Sequence, residues 1–184
     1  MLRLASSVAR RAERQLILRL AAALLALLRR CVDVALILLM AYMVGAVLMQ
    51  VFGRYVFNYS ITAAVETATF AQIWMVLLGA GYAMRQRMHV NIDVVIQLLP
   101  AHVARLLLVP VAALCLWFLW VVFIGGVRLL DLGAIQSSPA LQIPMTIPYL
   151  SLPLSAAYFA LEAVLFFGAG ILARGPAVTA LPSE

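Results

Sequence analysis

Residues 106–127 read LLLVPVAALCLWFLWVVFIGGV, an uncharged run of 22 residues between Arg105 and Arg128. The hydrocarbon core of a bilayer needs roughly 20 mainly apolar residues per helix, so this run has the length of one transmembrane span. Three more stretches have the same character, residues 34–52, 63–84 and 149–172. The sequence therefore predicts an all-α integral membrane protein with four transmembrane helices, since an open sheet could not satisfy its backbone in lipid.

The composition of the whole chain supports the same class of protein. Of its 184 residues, 66% are hydrophobic and 11% are charged, whereas soluble domains have about 45–50% apolar and about 25% charged residues. This balance disfavours a soluble enzyme, a nucleic-acid-binding domain and a disordered linker. The two cysteines, Cys31 and Cys115, are far apart and form no metal-binding or redox motif.

The arginines indicate how the spans are oriented. Seven of them lie in the first 30 residues, three lie in or beside the connection between the second and third spans, and one lies in the C-terminal tail. Only Arg54 and Arg128 fall on the opposite side of the membrane. Because basic residues accumulate on the cytoplasmic side, both termini are predicted to be cytoplasmic. The net charge of +6 then reflects orientation, and no nucleic-acid partner is expected.

The first 30 residues are predicted to form a cytoplasmic, Arg-rich amphipathic helix on the membrane surface. Its basic residues recur at helical spacings and its apolar residues can face lipid; these are Arg3, Arg10, Arg14, Leu16, Ile17 and Leu20. Membrane lipids are thus expected partners of this segment. The predicted organisation is this segment at 1–30, a four-helix membrane domain at 31–174 and a cytoplasmic tail at 175–184.

Three charged residues near or within the spans are candidates for functional or structural contacts. Glu162 falls well inside the fourth span, where a charge is costly. It either packs within this chain or contacts another helix, including one in a partner chain, and a lone carboxylate does not make a proton relay. Arg54 and Glu66 lie at the outer ends of adjacent spans, and we expect them to form an ion pair, either to fix the hairpin or to contact a ligand.

No catalytic or cofactor-binding constellation is visible in the sequence. His89 and His102 both fall in the cytoplasmic connection, whereas haem-binding histidines would lie inside the spans. We therefore predict no enzyme activity, no metal and no cofactor in this chain. The outer connection contains Pro139 and Pro144 among apolar residues, and we expect an ordered, partly extended loop that needs cover from another surface.

Residues 54–100 and 138–154 together resemble the small membrane subunit of tripartite ATP-independent periplasmic (TRAP) transporters, the DctQ-like family. An Arg-Tyr-x-Phe-Asn run ends the first span, at Arg54, Tyr55, Phe57 and Asn58. The residues that follow in the family's order are Glu66, Trp74, Arg85, His89 and Asp93. The later stretch SPALQIP, residues 138–144, is similar to the loop before the family's last span. The chain departs from the family at Ala63 and Val65, where tryptophan and an acidic residue are common.

The resemblance implies a transport role without a substrate site in this chain. A periplasmic binding protein would capture a carboxylate-bearing solute, such as a C4-dicarboxylate, sialic acid or a related organic acid. A large membrane subunit would carry the sodium and substrate sites, and the small subunit would brace it in the bacterial inner membrane. The site candidates would then be interface or structural residues. The alternatives are a small redox protein, which needs histidines in the spans, and a self-contained exporter, which would transport alone.

Overall fold

The computed structural model describes residues 2–59, 61–86 and 101–172. The helices are α1 (Leu2–Val56), α2 (Thr62–Arg85), α3 (Ala101–Ile135), the single turn α4 (Thr146–Tyr149) and α5 (Ser151–Leu172). Within these ranges four segments are long and apolar enough to cross a membrane, Glu13–Val56, Thr62–Arg85, Leu106–Ile135 and Thr146–Ile171. The prediction of an all-α protein with four membrane-spanning helices is confirmed. The cytoplasmic orientation and the three-part division remain predictions.

Within the described residues the four long helices lie side by side in the order α1, α2, α5, α3, since extensive contacts join each helix to its neighbour in this order, while α4 packs mainly against α3. A row leaves every helix with lipid-accessible surface, and the two end helices, α1 and α3, have most of it. The small core lies between α3 and α5 and reaches the end of α2; it contains Met84, Leu108, Leu119, Ala163 and Phe167.

Helix α1 is much longer than the predicted first span. Its 55 residues extend over roughly 80 Å at 1.5 Å per residue. The surface helix expected over residues 1–30 is helical, but it is not separate, because α1 continues through Arg29 and Arg30. The reason is local: no proline precedes this point, the first glycine is Gly45, and arginine is a good helix former. Similarly, α3 continues past Arg128 to Ile135.

Helices α1 and α2 pack along a regular seam. Nine of the eleven shielded residues between positions 13 and 56 of α1 recur at alternating spacings of four and three, which is the pattern of coiled-coil packing; they are Leu25, Arg29, Val32, Leu36, Leu39, Met43, Ala46, Gln50 and Gly53. The short turn after α1 contains Asn58 with a φ of 52°, a left-handed conformation that asparagine tolerates.

Helices α2 and α5 approach each other closely at Gly81. A Cβ atom at this position would lie 2.5 Å from Cδ1 of Tyr158, so only glycine permits the observed spacing. Helix α3 meets α4 and α5 in the same way, because Cβ atoms at Gly126 and Gly133 would lie 2.8 Å from Pro153 and from the backbone nitrogen of Thr146. Small residues of this kind let membrane helices pack without a hydrophobic driving force.

Candidate functional site

At the level where α2 ends and where α1 and α5 continue, which we call the charged end, four ionisable residues join three helices: Arg29 and Asp33 of α1, Arg85 of α2 and Glu162 of α5. Arg29 donates from Nε to Glu162 Oε1 at 2.8 Å and from Nη2 to Oε2 at 2.6 Å. The Glu162 side chain is 1% exposed and that of Arg29 is 34% exposed. A bidentate pair of this kind is among the stronger side-chain hydrogen bonds, and it connects residues 133 positions apart.

The second pair of the charged end ties α1 to α2. Arg85 donates from Nη2 to both carboxylate oxygens of Asp33, at 2.8 and 3.0 Å. The Arg85 guanidinium also lies 4.8 Å from the centre of the Tyr82 ring, in cation–π geometry. Since Arg85 is the last residue of α2 and Asp33 is one turn after Arg29, both pairs lie at the same level of the row.

The surroundings of Glu162 answer one question that the sequence left open. Its contact is Arg29 of this chain, so it packs within the protein and satisfies its charge there. Glu162 lies level with the end of α2, while α5 continues for ten more residues to Leu172.

At the opposite end of the row, which we call the loop end, Glu66 binds the loop of residues 136–145. Its Oε2 accepts hydrogen bonds from the backbone nitrogens of Ala140 at 3.0 Å and Leu141 at 2.9 Å. The loop is also braced internally, because the Ser138 nitrogen donates to the Ile143 oxygen at 2.8 Å and the Met145 nitrogen to the Gln136 oxygen at 2.9 Å. Glu66 thus holds a structured connection against the start of α2.

The predicted Arg54–Glu66 ion pair is wrong. Among the residues that the structure describes, Arg54 has no carboxylate partner and its side chain is exposed, while Glu66 is occupied by the loop. Arg54 and Glu66 are close in sequence because only a short turn separates α1 from α2. The loop, which comes some 75 residues later, supplies two backbone donors to the carboxylate instead.

The other residues singled out in the sequence are distributed as follows. Tyr55 is 81% exposed at the end of α1, beside other exposed aromatic residues, as is typical of a membrane interface. Trp74 is half-buried on α2. In the loop, Pro139 is exposed and Pro144 forms a β-bridge with Ser137. His89 and Asp93 lie outside the described residues.

The sequence reading missed Arg29 and Asp33 as site residues, and it missed the backbone donors at 140 and 141. A signal for the charged end was present, because Arg29 and Asp33 are four residues apart and share one helix face. The end of the second span must also return to the level where the first begins, which places Arg85 nearby. No signal marked the loop donors, since every non-proline residue has a backbone N–H.

Three buried hydroxyl groups have no partner in the described part of the chain. They are the Oγ atoms of Ser138 and Ser155 and the phenol of Tyr158. The searched residues contain no group of three or more His, Cys, Asp or Glu side chains that could hold a metal ion. The polar contacts at both ends join helices and loops to one another.

This combination of a row of membrane-spanning helices and polar groups that join them defines a multi-pass helical membrane protein. Residues 43–172 match the family model described as tripartite ATP-independent periplasmic transporters, DctQ component. The chain therefore belongs to this family of small TRAP permease components. Its family is one of transporter subunits and not of enzymes, and the resemblance stated from the sequence is confirmed.

Two curated relatives support this assignment. The chain is 35% identical over 92 residues to the C4-dicarboxylate TRAP transporter small permease protein DctQ of Vibrio cholerae, which covers 48% of this chain and 40% of the relative. It is 28% identical over 126 residues to a Haemophilus influenzae protein named as a TRAP transporter small permease, covering 67% and 75%. The matched part thus spans less than half of the Vibrio cholerae protein.

Proposed function

We propose that this chain braces the large membrane subunit of a sodium-coupled TRAP importer in the bacterial inner membrane and has no substrate site of its own. The large subunit would hold sodium and the solute, and a periplasmic binding protein would deliver the solute. The solute would be a carboxylate-bearing compound, and the name of the Vibrio cholerae relative favours a C4-dicarboxylate over sialic acid or another organic acid.

The observation that carries this proposal is the arrangement of the helices in a row. Transporter sites lie near the membrane midplane between repeats whose helices are broken there. The long helices described here are continuous, and α2 and α5 are in contact with each other instead of being parted by a chamber. A row has two broad faces and suits a brace for a larger neighbour.

The polar ends of the row support the same role. Glu162 and Asp33 are neutralised by arginines of this chain, and Glu66 is bound by loop amides. The paired groups stiffen the subunit, and Arg29 and Arg85, the charged-end cations that could attract an anionic solute, are already occupied by Glu162 and Asp33. By the arginine distribution the charged end would face the cytoplasm, and the loop end would face the periplasm, where the binding protein arrives.

Reconstitution tests the proposal directly. The chain, the large subunit and the binding protein would be purified and placed in proteoliposomes in all combinations, with and without an inward sodium gradient, and C4-dicarboxylate uptake would be measured. We expect uptake only when all three components and the gradient are present. Uptake by this chain alone, or full uptake by the large subunit without it, would contradict the bracing role.

A further inference from the structure

Helix α2 has one exposed stripe. Five of its positions are exposed and all others from Thr62 to Arg85 are at least partly shielded by α1 and α5. The five recur at spacings of three and four and therefore lie on one helix face; they are Thr62, Val65, Thr69, Gln72 and Val76. We call this face the α2 stripe.

Gln72 is the unusual member of the α2 stripe. It lies ten residues after Thr62 and thirteen before Arg85, which places it roughly 15 and 20 Å from the two ends of the helix. Its short side chain cannot reach water at either membrane surface from there. The Gln72 side chain makes no hydrogen bond to any residue that the structure describes, so in a lipid environment its carboxamide would be unsatisfied.

The other residues of the α2 stripe suit close contact with a neighbouring helix. Thr69 donates its hydroxyl to the carbonyl of Val65 at 3.0 Å, so this polar group is already paired within its own helix. Threonines and valines are short, so another helix backbone can approach closely around Gln72. Small residues together with one hydrogen-bonding group are the usual elements of a helix–helix contact in membranes.

The neighbouring helix α5 provides an internal comparison. Its exposed stripe is apolar throughout and consists of Leu154, Ala157, Leu161, Val164, Leu165 and Ile171. Lipid chains satisfy such a surface completely. The α2 stripe and the α5 stripe are both open in the isolated chain, but only the first contains a group that lipid cannot satisfy.

We propose that the α2 stripe docks a transmembrane helix of the large subunit, and that this helix presents a hydrogen-bonding side chain or carbonyl to Gln72. The proposal rests on the proposed function and adds to it the surface and the chemistry of the contact. A bracing subunit needs a specific contact inside the membrane. The α2 stripe provides one because its carboxamide prefers a polar helix to lipid.

Photo-crosslinking in the complex tests this assignment. A benzophenone amino acid would be placed at Gln72, at Val76 or at Leu154 of the full chain, coexpressed with the large subunit in cells. Leu154 is the matched control for Val76, because the Gly81–Tyr158 contact places the two residues at nearly the same depth on adjacent helices. We expect crosslinks to the large subunit from Gln72 and Val76 but not from Leu154.

An affinity measurement provides the second readout. Gln72→Leu should weaken association of the fluorescently labelled subunits in liposomes about 3-fold, and at most about 20-fold, as membrane hydrogen bonds do, while Leu154→Ala should leave it unchanged. If the complex forms but crosslinks arise from Leu154, or join Gln72 to a second copy of this chain or to lipid alone, the docking surface is wrong and the bracing role stands. If the unmodified subunits do not associate, both proposals fail.

Discussion

The charged end and the loop end both join distant parts of the chain through a carboxylate, but their hydrogen-bond donors differ. Each uses one carboxylate to join parts of the chain that are far apart in sequence, Glu162 to Arg29 and Glu66 to the loop of residues 136–145. At the charged end the donor is a long guanidinium side chain. At the loop end the donors are two consecutive backbone N–H groups, to which the side chains of residues 140 and 141 contribute nothing.

This difference determines how each end responds to change. Removing the Arg29 guanidinium leaves the Glu162 carboxylate almost fully buried and unpaired. This change lowers the free energy of unfolding of the whole helix row. Removing the Glu66 carboxylate frees a loop at the surface, where water can replace the lost bonds. We therefore expect substitutions at the charged end to affect global stability and those at the loop end to affect local order.

The largest effect is predicted for Arg29→Ala. It would leave the buried Glu162 carboxylate without its partner, at a cost of about 3 kcal/mol in the free energy of unfolding, the low end for buried pairs because Arg29 is partly exposed. Unfolding of the purified chain in detergent would measure it. Arg30→Ala is the matched control, since Arg30 is exposed on the next position of the same helix and should cost almost nothing.

A double variant sharpens this prediction. Arg29→Leu combined with Glu162→Leu removes both charges and should recover most of the loss, because apolar replacements of buried pairs are often neutral. If Arg29→Ala were no more harmful than Arg30→Ala, the ion pair would not be a structural element and the contrast between the two ends would disappear.

The next largest effect is predicted where α2 and α5 approach each other closely, because the charged end depends on this contact. Gly81→Ala would place its Cβ against the buried Tyr158 ring and should destabilise the chain by about 2 kcal/mol through overpacking. Gly79→Ala, two residues earlier on the same helix, meets nothing within 4 Å and should be neutral or slightly stabilising. Equal melting temperatures for the two variants would contradict the close contact.

A smaller and more local effect is predicted at the loop end. Glu66→Ala removes the acceptor of two amides and should cost about 1.5 kcal/mol locally, which corresponds to roughly tenfold faster hydrogen exchange of Ala140 and Leu141. Exchange measured by mass spectrometry on loop peptides would detect it. Arg54→Ala is the control: unchanged exchange is expected, whereas a matching increase would restore the Arg54–Glu66 pair that the structure does not show.

The sequence predicted the fold well because membrane spans are specified locally. Each span is a run of apolar residues with charges nearby, and this requires no knowledge of its neighbours. Helix ends were harder to predict, since Arg29, Arg30 and Arg128 read as span boundaries although the helices continue through them. Hydropathy marks where lipid is preferred and does not mark where helical hydrogen bonding stops.

The sequence identified the carboxylates Glu66 and Glu162 but not the groups that bind them. The partners of Glu66 are backbone groups of a distant loop, so the sequence predicts the nearest cation, Arg54, in their place. Glu162 is identified too, but its partner Arg29 lies 133 positions away in the sequence. Both outcomes depend on tertiary placement, which no local pattern encodes.

The smallest effect is expected from the hydroxyl groups that are buried without a partner at either end. Tyr158→Phe at the charged end and Ser138→Ala at the loop end each remove a polar atom whose burial is not compensated within the described chain. Each should change the free energy of unfolding by less than about 1 kcal/mol, towards higher stability. Ser151→Ala is the matched control, because the Ser151 hydroxyl donates to the Pro148 oxygen and its loss should destabilise. If Tyr158→Phe were instead as harmful as Arg29→Ala, the phenol would belong to the charged network, and the charged end would comprise five residues and not four.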